Sequence, residues 1–240
     1  MGKTILAFNT KDTLLEVVGG KGRSLSEMTN AGLPVPGGFH ITTVAYRDFV
    51  ASNNLHAGIL DEAGKTGEEA LASENIGRLF SDTELSSSVA KEIKVAYANL
   101  GDNPAVAVRS SANAEDLPDM SFAGQQDTYL NIKGEDALLA AVRDCWASLW
   151  TPRAISYRKQ MGIEHDQVAM AVVVQVMVAS DVSGILFTAN PATGERSEMI
   201  ANASFGLGEA IVSGQVTPDT YIFDRENHEL KETMIGAKEQ

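Results

Sequence analysis

The hydrophobic period changes once along this 240-residue chain, near Ala105, and that change constrains the fold more than any other feature. Before it, apolar residues recur at helical spacing: Leu25 with Met28, Ala45 with Phe49 and Val50, and Leu85 with Val89, Ile93 and Leu100. Gly32, Asn53-Asn54 and Gly101 end those helices. Between Gly58 and Asp82 the pattern weakens into acidic and small residues, which predicts a surface insertion or mobile segment. After Ala105, "AVAVRSS" alternates and "DTYLNIK" follows across a glycine-containing loop, predicting two strands joined by a functional turn. A helical region runs from about Glu135 to Met161 and restarts at Thr151-Pro152. Then come five strand candidates, "VAMAVVVQVMV", "GILFTAN", "EMIANAS", "TYIFDR" and "ELKETMI". Helices followed by strands predict an α+β fold with two lobes.

Charge and cysteine content narrow the function. A formal net charge of -13 argues against a nucleic-acid surface, because phosphate backbones are held by clustered Lys and Arg. Any bound phosphate must therefore be met by a few local cations. Cys145 is the only cysteine, so no intrachain disulfide is available, and its place in the helical stretch "DALLAAVRDCWASLW" predicts a buried, inert thiol. A reducing, cytoplasmic setting fits. The N-terminus has no charged-then-apolar leader, and the nearly apolar run Val168 to Val178 is too short to span a bilayer, so a soluble protein without a membrane partner is expected. Myristoylation at Gly2 is disfavoured by Leu6, which stands where that signal has Ser or Thr.

Three segments carry candidate chemistry. In "VVGGKGRSLSEM", Lys21 sits among three glycines before an amphipathic run. It is not a Walker loop: Leu15 occupies the first glycine position, and Gly22 the position of the hydroxyl that would hold magnesium. "GLGEAI" at Gly206 to Ile211 likewise fails as a dinucleotide fingerprint, because Ile211 replaces the third glycine. What remains is physical: glycines that allow close backbone approach, a helix expected to begin near Arg23, and a point charge suited to polyphosphate. The plain alternative is a turn with a solvated lysine.

The second segment is "AVAVRSSANAEDLPDMSFAGQQDTYLNI". Arg109 ends an alternating strand and is suited to gripping phosphate bidentately. Ser121 to Thr128 forms a small-residue loop, in which Gly124, Gln125 and the Thr128 hydroxyl could face phosphate oxygens. The alternative is an ordinary hairpin with Arg109 paired to Glu115 or Asp116. In the third segment, "VVVQVMV", Gln175 interrupts an apolar strand. An amide there could bond an adenine amino group while Met177 packs on the ring; the alternative is a satisfied core glutamine.

Taken together, "GGKGRSLSEMTNAGLPVPGGF", "AVRSSANAEDLPDMSFAGQQDTYLNI", "CWASLWTPRAISYR", "GILFTANPATG" and "ASFGLGEAIVSGQVTPDTY" resemble the N-terminal ATP-binding domain of the pyruvate phosphate dikinase, phosphoenolpyruvate synthase (pyruvate, water dikinase) and rifampin phosphotransferase family. The likeness runs from about Leu14 through Lys238, and the motifs look nearest to rifampin phosphotransferase. It implies an ATP-grasp-like fold, with residues 1–174 as a first lobe, residues 175–240 as the start of a second, and ATP between them. Lys21 and Arg109 then correspond to a phosphate-binding pair, Gly124, Gln125 and Thr128 to a phosphate-covering loop, and Gln175 with Met177 to an adenine hinge.

In that family the domain passes the β-phosphate of ATP to a histidine on a swivelling domain, releasing AMP and phosphate, and the phosphohistidine serves an acceptor on a further domain. The acidic magnesium ligand and the Gln-x-Arg segment of the family have no counterpart up to Gln240. The resemblance therefore implies ATP and Mg2+ as cofactors, with no catalytic residue or metal ligand in this chain and little activity from it alone. None of His40, His56, His165 or His228 lies in the glycine-rich Thr-Ser-His setting of the transferable histidine, so each reads as structural or surface. A sheet edge left open in the second lobe would favour self-association. A stand-alone nucleotide-binding or interaction module, and an ATP-grasp ligase, are the competing readings.

Overall fold

The computed structural model describes residues 2–112 and 128–238. The chain divides into two compact units, Met1–Met177 and Val178–Gln240. The division falls after Met177, so Gln175 belongs to the sheet of the first unit.

The first unit opens with β1 (Ile5–Ala7), α1 (Leu15–Asn30) and β2 (Gly38–Ile41), followed by four helices: α2 (Thr43–Ser52), α3 (His56–Gly64), α4 (Glu69–Ser81) and α5 (Ser87–Ala98). Next come β3 (Val106–Ala112), β4 (Thr128–Ile132), α6 (Glu135–Ala147), a 3-10 turn at Ser148–Trp150, α7 (Pro152–Met161) and β5 (Met170–Val176). The restart at Thr151-Pro152 has the expected chemistry. Thr151 accepts a hydrogen bond from the Ala154 N–H at 3.3 Å, Pro152 occupies a first-turn position with no N–H to satisfy, and Gly162 closes α7 at φ 65°.

The strands form an antiparallel sheet in the order β1-β2-β5-β3-β4. β3 and β5 lie at its centre and are buried on both faces, which explains why "AMAVVV" reads as continuous apolar sequence rather than as clean alternation. One face carries the main core: Ile41, Val106, Val108, Val172 and Val174 pack with Phe49, Phe80, Leu138, Trp146 and Ile155 from the helices. Trp150 donates to the Tyr46 hydroxyl at 3.1 Å within this layer, and Cys145 is buried there. The other face is packed by α1 through a smaller cluster of Phe8, Leu25 and Val173.

Two expectations need correction. The stretch from Gly58 to Asp82 is no insertion, because it contains most of α3 and all of α4, with Ile59, Ala63, Ala72, Ile76 and Phe80 buried in the main core. Its buried stripe uses alanines between the large residues, and their small side chains hid the period. The short strands β1 and β2 were not anticipated; three or four residues give too few repeats to register as alternation.

The second unit is a meander in the order β6-β7-β8-β9, made by β6 (Val182–Phe187), β7 (Glu198–Phe205), β8 (Asp219–Asp224) and β9 (Leu230–Met234). A four-residue helix, α8 (Glu209–Val212), follows β7. Every strand candidate in this part of the sequence is a strand. With its mixed helices and two antiparallel sheets, the protein is α+β. Among the described residues, no helix is long and apolar enough to cross a membrane.

Candidate functional site

The site is built on the α1 face of the five-stranded sheet. Residues alternate faces along a strand, so Val106, Val108 and Ala112 on the main core send Ala107, Arg109 and Ser111 to the opposite side. On β5, Val173 packs against α1 and carries Gln175 with it to the same side. Register fixes who neighbours whom. Arg109 pairs with Thr128 on β4 and with Val173 on β5, and Val173 pairs with His40 on β2. Gln175 pairs with Ala107, which places it diagonally from Arg109. Arg109 and Gln175 are half-buried, and Thr128 is exposed.

Helix α1 brings Lys21 to this face by an interrupted route. Gly19 sits at φ 70° and ψ 175°, outside the helical region, and a Cβ there would lie 2.2 Å from the Ser111 carbonyl oxygen. Only glycine tolerates both the dihedrals and the approach. The Gly22 N–H donates to Ser111 Oγ at 3.2 Å, and the same hydroxyl donates to the Val18 carbonyl at 2.8 Å. In an unbroken helix Gly22 would bond Val18 directly, so the Ser111 hydroxyl is spliced into that rung. Lys21 stands inside the spliced turn and is half-buried. The helix therefore begins before Arg23, at Leu15, and is kinked at Gly19, a correction to the expected start.

Beyond the splice, α1 is locked to β2. Ser26 Oγ and His40 Nε2 share a hydrogen bond at 2.9 Å, the Phe8 ring lies 4.7 Å from the imidazole, and a Cβ on Gly22 would meet His40 Nδ1 at 3.2 Å. Burial pushes the His40 pKa down to about 4, so the ring is neutral near pH 7. His40 is thus a buried structural residue. On the opposite, helical side of the sheet, a cavity of about 310 Å³ is lined by Tyr46, Val50, Ile59, Trp150, His165 and Val168. Near it, Arg158 donates to the Leu149 carbonyl at 2.8 Å and to His165 Nδ1 at 3.0 Å.

Four of the residues singled out in the sequence, Lys21, Arg109, Thr128 and Gln175, belong to elements of this one face. Gly124 and Gln125 lie outside the described residues. Arg109 sits in the middle of β3 rather than at its end, and Thr128 is the first residue of β4 rather than part of a loop. Met177 follows the end of β5, where its N–H donates to the Ala105 carbonyl at 2.9 Å. The Gln175 amide reaches the Pro36 carbonyl at 3.4 Å, which leaves most of its hydrogen-bonding capacity uncommitted to that contact. Sequence reasoning missed Ser111, whereas it reads His40 as structural or surface, and the structure makes it a buried structural residue. Ser111 carried a signal, as a hydroxyl two residues from Arg109 and so on the same face of the strand. His40 carried only the weak signal of a polar residue between Phe39 and Ile41.

Among the described residues there is no group of three or more His, Cys, Asp or Glu side chains placed to hold a metal ion. This face offers cations and hydrogen-bond groups instead, a donor set that suits an anion.

Comparison with known proteins matches the chain, over residues 15–240, to a family model described as pyruvate phosphate dikinase, AMP/ATP-binding domain. Similar curated proteins include a phosphoenolpyruvate synthase of Aeropyrum pernix, 46% identical over 95% of this chain and 29% of that protein. A probable phosphoenolpyruvate synthase of Archaeoglobus fulgidus is 47% identical, over 93% of this chain and 31% of that protein. Another, from Pyrococcus horikoshii, is 45% identical over 93% and 32% respectively. The chain spans about a third of the length of these relatives.

Proposed function

The chain belongs to the pyruvate phosphate dikinase AMP/ATP-binding domain family, and from that premise we propose that it binds ATP on the α1 face of its first sheet. Lys21 and Arg109 take the phosphates, Thr128 lends its hydroxyl, and Gln175 with Met177 takes the adenine. The observation that carries this reading is the register. It sets Arg109 beside Thr128 and diagonal to Gln175, on the face to which Ser111 ties the Lys21 turn. A planar guanidinium and a flexible ammonium divide the work as a polyphosphate requires, one fixing geometry and the other supplying charge. Gly124 and Gln125, four and three residues before Thr128, complete the phosphate loop in this reading.

The same proposal covers the reaction and the ATP-grasp-like reading of the fold. A histidine nitrogen on another domain attacks the β-phosphorus of ATP, the bond from the α–β bridging oxygen to that phosphorus breaks, and AMP leaves with the bonding pair. The histidine then carries the β- and γ-phosphoryl groups together; water attacks the γ-phosphorus, its bond to the β–γ bridging oxygen breaks, and inorganic phosphate leaves while the β-phosphoryl group stays on the histidine. This chain's part is to hold the phosphates in line and to offset their charge, which is where phosphoryl transfer gains most of its rate. Mg2+ accompanies ATP in the reading, and no step is assigned to it. The names of the relatives, phosphoenolpyruvate synthase, favour pyruvate over a rifampin-type antibiotic as the final acceptor.

Calorimetric titration with ATP and with adenosine tests the site. Lys21→Met weakens ATP binding and leaves adenosine binding unchanged, whereas Gln175→Leu weakens both. Unchanged ATP affinity in both folded variants would refute the assignment. ADP in place of AMP, formed by the protein that contains this domain, would turn the reading toward an ATP-grasp ligase.

A further inference from the structure

We propose that Ser111 is a positioning residue of the phosphate site, coupling Lys21 to Arg109 through the hydroxyl it splices into α1. This rests on the reading of the site given above and adds a residue that contacts no ligand in it. Three observations converge. Ser111 is fully buried and lies two residues from Arg109 on the same face of β3, so its Oγ is fixed relative to the guanidinium by one strand. That oxygen accepts from Gly22 N–H at 3.2 Å and donates to the Val18 carbonyl at 2.8 Å, one contact on each side of Lys21. Gly19 lets the chain close on it, with a position where a Cβ would stand 2.4 Å from the hydroxyl oxygen.

The physical consequence follows from what happens without the hydroxyl. Gly22 N–H and the Val18 carbonyl would both lose their partner in a buried place. Their cheapest remedy is to bond each other, as an ordinary helix does. That remedy tightens the turn and rotates Lys21 away from the direction it has in the spliced form. The hydroxyl therefore holds the turn open, and the opening is set from the strand that carries Arg109. Two cations from segments 88 residues apart in sequence are thereby given one geometry.

The experiment uses the 240-residue chain, with ATP and adenosine as titrants, the variants Ser111→Ala and Ser111→Cys, and each of them combined with Lys21→Ala. Ser111→Ala in the Lys21 background weakens ATP binding roughly tenfold, the usual scale for a misplaced charge-assisted contact, and leaves adenosine binding unchanged. In the Lys21→Ala background the same substitution costs little more, because there is no ammonium left to misplace. Amide exchange at Gly22 changes in Ser111→Ala, reporting the altered rung.

Equal loss in both backgrounds, equal loss for ATP and adenosine, or no loss would each overturn the positioning role. Should Ser111→Ala fail to fold, Ser111→Cys decides the matter: its longer C–S bond and weaker donor misplace the rung, so ATP affinity should fall in the Lys21 background alone with adenosine spared. Equal loss in both backgrounds, equal loss for both titrants, or no loss while amide exchange at Gly22 shows the rung altered would overturn the role. A wild-type chain that binds no ATP refutes the reading of the site itself. A wild-type chain that binds ATP, with a Ser111→Ala variant that binds it equally well, refutes the splice alone.

Discussion

Gly19→Ala is the substitution that most sharply probes the interrupted helix. At φ 70° and ψ 175° the residue occupies backbone space that is nearly glycine-only, and an alanine held there is strained by about 1–3 kcal/mol. Its Cβ would stand 2.2 Å from the Ser111 carbonyl oxygen, a backbone atom of a central strand that cannot swing aside. Forcing an extra carbon into such packing costs typically about 1–3 kcal/mol more. The stiffer unfolded chain returns about 0.4–1 kcal/mol. The net loss is about 2–5 kcal/mol, a large share of the roughly 5–15 kcal/mol by which domains are stable.

Urea unfolding followed by tryptophan fluorescence is the assay, because both tryptophans, Trp146 and Trp150, lie in the core of the same unit as Gly19. With a slope of about 2 kcal/mol per molar urea, the midpoint should fall by about 1–2.5 M. Gly77→Ala is the control. Gly77 lies within α4 with nothing near its prospective Cβ, so that change should stabilise by up to about 1 kcal/mol. A loss below about 1 kcal/mol for Gly19→Ala would refute the claim that the kink is locked against β3.

Arg109→Lys should weaken ATP binding about tenfold while sparing adenosine, since a two-pronged planar donor becomes a point charge; equal ATP affinity in a folded variant counts against the phosphate role. His40 has a folded pKa near 4, below its unfolded value of about 6.5, so the unfolded chain binds the extra proton between them. Its contribution is full above pH 6.5 and lost as pH falls through 4, a difference of up to about 3 kcal/mol. The stability of wild type minus that of His40→Gln, measured by urea titration from pH 7 to pH 4, should shrink by that order; parallel curves would contradict the assignment. Tyr46→Phe removes the acceptor of the buried Trp150 N–H and should cost about 1–3 kcal/mol, whereas a cost near zero would mean the indole finds another partner.

The elements built on strong repeats were legible from residues alone. β3 and β4 were visible because alternation survives in "AVAVRSS" and "DTYLNIK", and α7 because Thr151-Pro152 is a capping signal with a local cause. α3 and α4 were not, because Ala63 and Ala72 fill buried positions that a hydrophobic count weighs lightly. The lysine turn was legible as unusual but not in its geometry. Three glycines announce close backbone approach, yet nothing local says that the approaching group is Ser111, 89 residues from Gly22. Register was beyond reach for the same reason. That Arg109 neighbours both Thr128 and Gln175 follows from strand pairing across the sheet, which no spacing along the chain encodes. The candidate residues could be named from their chemistry; their convergence needed the topology.

The most direct test of the central claim is a crystal structure of the chain with ATP bound. The account predicts phosphate oxygens within hydrogen-bonding distance of the Lys21 ammonium and the Arg109 guanidinium, with the adenine edge on Gln175 and the Gly22–Ser111–Val18 splice intact. ATP seated instead on the helical side of the sheet, in the cavity lined by Tyr46, Trp150 and His165, would contradict it.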